Sequence, residues 1–454
     1  MRPRRLSDVA RATEGVLEGD DVEVESVSTD SRNVPPGSLF VALAGDRTDG
    51  HRFVDDAFRN GATAALVHEG GAVGPHVRVP STGDALMRLA ADERGRFGGT
   101  VVGITGANGK TSTKDLAHAV LATRHRTQAS PGSYNNEVGL PLTLLGTPPG
   151  TAVIVAEMGA RRLGDVKLLC GIARPEVVVV TNVGVAHMEV FGSWASIVEA
   201  SAEPVEAIDA NGTAILNADD PVAVGFAERC AGAVVTFGAS PGSAADVRAE
   251  AVTLGSDGTA SFRLIAGDGE VDATLALPGE HMVPNALAAA AVGLQLGVSL
   301  EDTAAALASA RISRWRMETS VTEAGVRILN DAYNANPEST AAALRTARWI
   351  AGEHRLIAVL GEMAELGPIA ETAHDRVGEL AARIRVDRLI TVGEAAEPIA
   401  RAAIREGMAA SDVASYEDVV DALEDARRFA RPGDLVLCKG SRVAGLERVA
   451  EALA

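Results

Sequence analysis

The residues best suited to chemistry surround one turn. The run Thr100-Val101-Val102-Gly103-Ile104-Thr105 leads into Gly106-Ala107-Asn108-Gly109-Lys110-Thr111 and then into a helical stretch, KDLAHAVLAT. A buried strand, a glycine turn and a helix start form the context in which backbone N–H groups converge on an anion. In such a loop the Lys110 ammonium bridges the β- and γ-phosphates of ATP and the Thr111 hydroxyl offers an oxygen to Mg²⁺. Gly106, Asn108, Gly109 and Ser112 would complete the cradle. Position 104 is Ile where the usual GxxxxGK[ST] pattern has glycine, with Gly103 and Gly106 on either side. The alternative is a glycine turn carrying a surface lysine. Lysine usage speaks against it: lysine occurs only at 110, 114, 167 and 439, and arginine supplies the rest of the basic count.

Further candidates follow strand-like runs, at the carboxyl ends where ligands gather in open parallel sheets. Glu157 closes AVIVAE. Its carboxylate suits a hard cation such as Mg²⁺; a solvated strand-end acid is the alternative. His187 ends NVGVAH beside the same crevice, a position that strengthens a ligand reading against the structural role an isolated histidine more often has. Asp331, in NDAYNANPES, lies just past a strand and before a helix opened by Pro337. It could hold a ribose hydroxyl or cap a turn, and periodicity does not separate the two. Arg314 and Arg316, in SRWRME, sit at a domain junction. An arginine there reaches a transferring phosphoryl group once the domains close, the alternative being a surface arginine in an arginine-rich chain.

These residues need a scaffold of several cores, because 454 residues that are 46% hydrophobic exceed what one ordinary core holds. The fold expected is α/β in three domains. Residues 1–97 alternate short apolar runs with turns such as Pro35-Pro36-Gly37, a small α/β domain. Residues 98–311 carry TVVGIT, AVIVAEMG, EVVVVTNVG and TAILNADD between helical segments, a doubly wound parallel sheet around the phosphate loop. Within them SFRLI and VDATLAL alternate with period two about Gly-Asp-Gly, an antiparallel hairpin. Residues 312–454 repeat the strand and helix alternation as a Rossmann-like sheet. Short loops favour domains that pivot.

A net charge of -19 argues against nucleic acid or an anionic membrane as partner, since both favour clustered Lys and Arg. Cys170, Cys230 and Cys438 are widely spaced, with neither a disulfide framework nor a zinc knuckle. The basic start Met1-Arg2-Pro3-Arg4-Arg5 is followed by polar residues without an apolar leader core, and no run approaches the ~18 apolar residues of a membrane span. The expectation is a cytoplasmic monomer acting on small molecules. No GxGxxG fingerprint opens either sheet, which disfavours a dinucleotide-dependent oxidoreductase.

Together the segments resemble the Mur ligase family over nearly the whole chain. STDSRNVPPGSLFVAL and GDRTDGHRF carry the likeness first, then TGANGKTSTK, GSYNNEVGLPLT, EMGAR, NVGVAH and LNADDP, then SRWRME, NDAYNANPES and GEMAELG. NDAYNANP is similar to the branch that adds D-alanyl-D-alanine to a UDP-sugar tripeptide in peptidoglycan synthesis. The resemblance implies an ATP- and Mg²⁺-dependent amide ligase working through an acyl phosphate. It implies Lys110, His187 and Arg316 as catalytic residues, Thr111, Glu157 and His187 as metal ligands, and Asn285 and Asp331 as nucleoside ligands. Ser31, Asp49, Gly50 and His51 would lie near the uridine nucleotide. Asn135 and Asn136 would lie near substrate and phosphates, and Tyr333, Asn334, Lys439, Ser441 and Arg442 on the substrate side of the third domain.

One departure stands out. Family members carry a lysine after the His187 loop whose carbamate holds a second Mg²⁺, and here the matching position is Ser201. Glu199, Glu203 or water replaces the carbamate, or the second site is weak. The departure also leaves open a ligase for a different carboxylate and amine pair, or a nucleotide-binding homologue without turnover.

Overall fold

The computed structural model describes residues 1–45, 48–68, 74–185 and 188–454. Three successive sheets organise them. The first has five strands, in the order Val16–Glu18, His76–Arg78, Ala62–Val67, Ser38–Val41 and Ser26–Ser28, parallel except at the first pairing. The third has six, in the order Glu318–Val321, Arg327–Asn330, Leu435–Lys439, Leu356–Gly361, Arg388–Val392 and Val413–Tyr416, parallel after its first hairpin.

The middle sheet places the phosphate loop. Thr100–Thr105 lies between Val153–Glu157 and Val177–Val180, all parallel, with Glu157 level with Ile104 and Val180 level with Thr105. Helices cover both faces, so these strands read as unbroken apolar runs instead of alternating. Their carboxyl ends deliver Gly106, Glu157 and Thr181 to one rim. The sheet continues through Thr213–Asn217 and Ala233–Gly238 to a three-stranded extension, Val247–Leu254, Thr259–Ala266 and Gly269–Pro278. The expected hairpin is its last two strands, paired antiparallel across Ala266 and Gly269.

The helix Lys110–Leu121 starts from Gly109 at φ 80°, where a Cβ would lie 2.2 Å from Asn285 Oδ1. Left-handed backbone and close approach together require glycine. This helix packs on the alanine-rich helix Met282–Gln295 within the central core.

The units are joined unequally. One apolar cluster unites Leu6, Val77, Leu86 and Leu89 with Val101, Leu140, Leu144, Ile154 and Leu169, so the first and middle units share a core. The two apolar clusters of the third unit contain only residues from Met317 onward. At about 25 cal/mol per Å² of buried apolar surface, the shared core welds the first two units, while polar contacts carry much of the third unit's attachment. Among the described residues no helix is long and apolar enough to cross a membrane.

Candidate active site

The phosphate loop is fixed by groups from the neighbouring strand. Asn108 N–H donates to Asn182 Oδ1 at 2.9 Å, and the Asn108 carbonyl accepts from Thr181 Oγ1 at 2.6 Å and Asn182 Nδ2 at 3.0 Å. Lys110 Nζ donates to the Gly106 and Ala107 carbonyls at 2.6 and 3.2 Å, folding back over the loop. Burial pushes the Lys110 amine below its ordinary range; Glu157 opposes the shift and Arg316 adds to it. Glu157 and Arg316 are thus within electrostatic reach of the ammonium.

Glu157 is 1% exposed. Its Oε2 accepts from Thr111 Oγ1 at 2.7 Å, its Oε1 from Asn135 Nδ2 at 2.8 Å, and its N–H donates to Ser130 Oγ at 3.2 Å. A buried carboxylate and a hydroxyl, both hard oxygen donors at the start of the phosphate-loop helix, fit one divalent cation. Asn285 abuts Gly109 and accepts from Thr113 Oγ1 at 3.3 Å. Ser112 is buried in the first turn, and Asn136 accepts from Gly139 N–H at 2.9 Å, starting the next helix.

A second cation fits less well. Ser201 Oγ donates to Ile197 O at 2.8 Å, within its own helix. Glu203 accepts the Gly164 and Lys167 N–H groups, which ties it to the start of helix Asp165–Ala173. Glu199 faces Arg229 at 2.8 Å. Glu203 is thereby committed to that helix start, while Glu199 is held only by an exposed ion pair. His187 lies outside the described residues.

The third unit brings four residues toward this rim. Asn336 Nδ2 donates to Asn108 Oδ1 at 2.5 Å while Asn336 Oδ1 caps its own helix by accepting Ser339 N–H. The Tyr333 and Ser133 hydroxyls share a hydrogen bond, and the Arg316 guanidinium stacks on the Tyr333 ring at 4.3 Å. Desolvation raises the Tyr333 phenol, with Arg316 opposing and Glu157 reinforcing. Ser313 donates N–H and hydroxyl to Asp115 Oδ2 at 2.7 and 2.8 Å, at the domain junction. Arg314 instead turns outward to Glu451.

Lys439 and Ser441, expected beside the acceptor, hold the loop from inside. Lys439 is 2% exposed and donates to Asp331 Oδ2 at 2.6 Å and Asn334 O at 2.9 Å. Ser441 Oγ accepts Ala364 N–H and donates to Ala335 O. Arg442 is exposed, stacked on Trp315 and paired with Glu447. Asn334 is exposed in the loop that carries Tyr333.

In the first unit, Asp49 Oδ1 accepts His51 N–H at 3.0 Å and meets His51 Nδ1 at 2.7 Å, while His51 Nε2 accepts His68 N–H at 2.9 Å. Those partners fix the Nδ1–H tautomer. They also hold the Asp49 carboxyl below its usual range, the His51 N–H contributing most. Gly50 leaves no room for a Cβ against the Leu43 backbone, and the Ser31 carbonyl accepts from Asn60. Sequence reading missed Thr181, Asn182, Ser133, Asn336 and Asp115. Lys114, which donates to Ser130 O and Gly132 O, was signalled only by the scarcity of lysine.

Three family models match in order: the Mur ligase family catalytic domain at 23–94, the Mur ligase middle domain at 104–293 and the Mur ligase glutamate ligase domain at 315–442. The chain is 40% identical to the UDP-N-acetylmuramoyl-tripeptide--D-alanyl-D-alanine ligase of Mycobacterium tuberculosis, covering 94% of this chain and 92% of that one. It is 35% identical to the Bacillus subtilis protein of the same name, over 100% and 99%. Among solved structures, MurF from Acinetobacter baumannii superposes with a TM-score of 0.88 at 30% identity, covering 99% and 98%. MurF from Thermotoga maritima in complex with ADP gives 0.81 at 31%, covering 95% and 97%. With models matched along most of its length and relatives of this identity end to end, the chain belongs to the Mur ligase family.

Proposed function

We propose that this chain joins D-alanyl-D-alanine to UDP-N-acetylmuramoyl-tripeptide, consuming ATP, in peptidoglycan precursor synthesis. The observation that carries the chemistry is the meeting of Lys110, Thr111 and Glu157 from the middle unit with Arg316, Tyr333 and Asn336 from the third. The relatives' shared name supports the substrate pair. The ADP bound in the Thermotoga structure supports the nucleotide.

A carboxylate acylates amines poorly, so the γ-phosphoryl group of ATP is first transferred to it, giving an acyl phosphate and ADP. The dipeptide amine then attacks the acyl carbon, the C–O bond to phosphate breaks, and amide and phosphate leave. Lys110 and Arg316 approach the transferring phosphoryl group from two domains and offset its charge. Thr111 and Glu157 would hold Mg²⁺, which supplies further positive charge at the phosphates. Asn285 and Asp331 lie toward the nucleoside, and Asn135 and Asn136 toward the substrate. Ser31, Asp49, Gly50 and His51 serve the uridine nucleotide, and Tyr333, Asn334 and Arg442 the acceptor side. Closure of the third domain aligns amine and acyl phosphate and excludes water. Such an enzyme works in the cytoplasm, as a monomer in this reading.

Ser201 favours a second reading, a ligase of the same chemistry for another carboxylate and amine pair. One assay separates them: purified protein with ATP, Mg²⁺, UDP-N-acetylmuramoyl-tripeptide and D-alanyl-D-alanine, scored by phosphate release and product mass. The expected product is the pentapeptide. No product from an enzyme that turns over ATP with other acceptors would reject the cell-wall substrate.

A further inference from the structure

Arg316 sits between two strained residues. Trp315 and Met317 have φ of 61° and 50°, left-handed backbone in residues other than glycine. Such a conformation persists only where the surroundings hold it. The holding groups are specific. Trp315 O accepts from Tyr333 N–H at 3.1 Å, and Trp315 N–H donates to Glu318 Oε2 at 3.1 Å. Met317 N–H donates to Asp331 Oδ1 at 3.1 Å. The loop from Asp331 to Asn334 therefore grips the 315–317 backbone on both sides of Arg316, and it also supplies the Tyr333 ring beneath the guanidinium.

That loop is itself clamped from inside by Lys439, on Asp331 Oδ2 and the Asn334 carbonyl. Arg316 Nε is buried without a hydrogen-bond partner, so no side-chain bond at that atom aims the group. The held backbone fixes where its side chain departs, and the Tyr333 ring lies against the guanidinium.

We propose that Asp331 and Lys439 are positioning residues for Arg316: Lys439 braces Asp331, Asp331 holds the Met317 amide, and the strained turn so formed points the guanidinium at the phosphate loop. The inference rests on the ligase reading for what Arg316 meets. It differs in assigning Lys439 to the nucleotide half of the reaction and not to the acceptor.

The test is a double-mutant cycle. Asp331→Asn and Lys439→Met are each made alone and with Arg316→Ala, and kcat and KM are measured for ATP, the nucleotide-sugar peptide and D-alanyl-D-alanine. Misaiming by about an ångström costs roughly 100-fold or less, so each single variant should lose about 10- to 100-fold in kcat, with KM for the nucleotide-sugar peptide and for D-alanyl-D-alanine within about twofold. Neither should cost anything further in kcat once Arg316 is alanine. Losses that multiply in the Arg316→Ala background, or a raised KM for D-alanyl-D-alanine with kcat kept, overturn the proposal. Where a single variant does not fold, the pair Asp331→Asn with Lys439→Met leaves no lone buried charge and enters the cycle in its place. Run on ATP hydrolysis without acceptor, the same cycle reads the aim of Arg316 even if the wild-type protein makes no pentapeptide. A failed substrate assignment and a failed positioning role thus give different results.

Discussion

Glu157→Gln separates the electrostatic role of the buried carboxylate from its structural one. The amide has the same shape. With its oxygen toward Asn135 Nδ2 and its nitrogen toward Thr111 Oγ1, which can accept, both present contacts survive at 2.8 and 2.7 Å. What changes is charge. Two hydrogen bonds to an ionised acceptor become neutral, a loss of about 1 kcal/mol each. Removing the desolvation cost of a buried carboxylate offsets part of that, while Lys110 loses a neighbouring anion. The melting temperature should therefore move by only a few degrees. Turnover should fall much further, because the lost anion both neighbours Lys110 and supplies the cation's hardest ligand. Loss of one preorganised electrostatic group costs about 10²- to 10³-fold in kcat, or roughly 3–4 kcal/mol, and the Mg²⁺ midpoint should rise. Phosphate release measured against Mg²⁺ concentration, with a parallel thermal melt, reads both quantities. A folded Glu157→Gln enzyme with kcat within about threefold of wild type and an unshifted Mg²⁺ midpoint would refute the assignment.

Three further outcomes are expected. Lys110 has its amine lowered by burial from the ordinary 10.5, so the unfolded chain holds that proton more tightly. Stability from this group therefore rises with pH through the window between the lowered value and 10.5, and phosphate binding should restore the proton there. Calorimetry of MgATP binding in two buffers of different ionisation enthalpy should show uptake of up to one proton that Lys110→Met abolishes; equal heats throughout that window would contradict it. Ser201→Lys in bicarbonate should lower the Mg²⁺ midpoint by restoring a carbamate-forming side chain, and unchanged Mg²⁺ dependence together with unchanged turnover would mean that the second site is not weakened here. Asn336→Ser keeps a good helix cap but loses the reach to Asn108, so stability should hold within about 0.5 kcal/mol. In the same variant kcat/KM for ATP should drop about fivefold, the worth of one hydrogen bond near 1 kcal/mol, and an undiminished value would deny that this bond supports closure.

The sheets were legible because strands buried on both faces cannot hide as anything but unbroken apolar runs, as Val177–Val180 shows. The phosphate loop was legible despite Ile104 for a related reason. Ile104 is a fully buried strand residue, and the positions whose backbone needs glycine are Gly106 at φ 134° and Gly109 at φ 80°. Both are present. What escaped the sequence was pairing across distance. Asn336 meets Asn108 over 228 residues and Tyr333 meets Ser133 over 200, and periodicity reports which face is buried without saying which polar group it faces. Lys439 was placed by resemblance near the acceptor because its segment lies there; only the fold shows the ammonium turned inward.

The four lysines connect these two levels. Lys110 bonds the carbonyls of Gly106 and Ala107, Lys114 those of Ser130 and Gly132, and Lys439 that of Asn334 together with the Asp331 carboxylate. Each therefore gathers the turns of one loop: the phosphate loop, the loop presenting Ser133 and Asn135, and the loop presenting Tyr333 and Asn336. Lys167 alone is exposed. An ammonium is compact and directs three donors tetrahedrally, so it can draw two or three oxygens of one turn around a single buried point. A guanidinium is a planar fork that suits flat carboxylates, as in the Arg355–Asp434 and Arg388–Asp425 pairs, and at Arg94 and Arg327 it also spans carbonyls of separate segments. In a chain that uses arginine nearly everywhere else, three of the four lysines stand where a loop closes around a point. Those three loops are the ones that surround the transferring phosphoryl group in the proposed reaction.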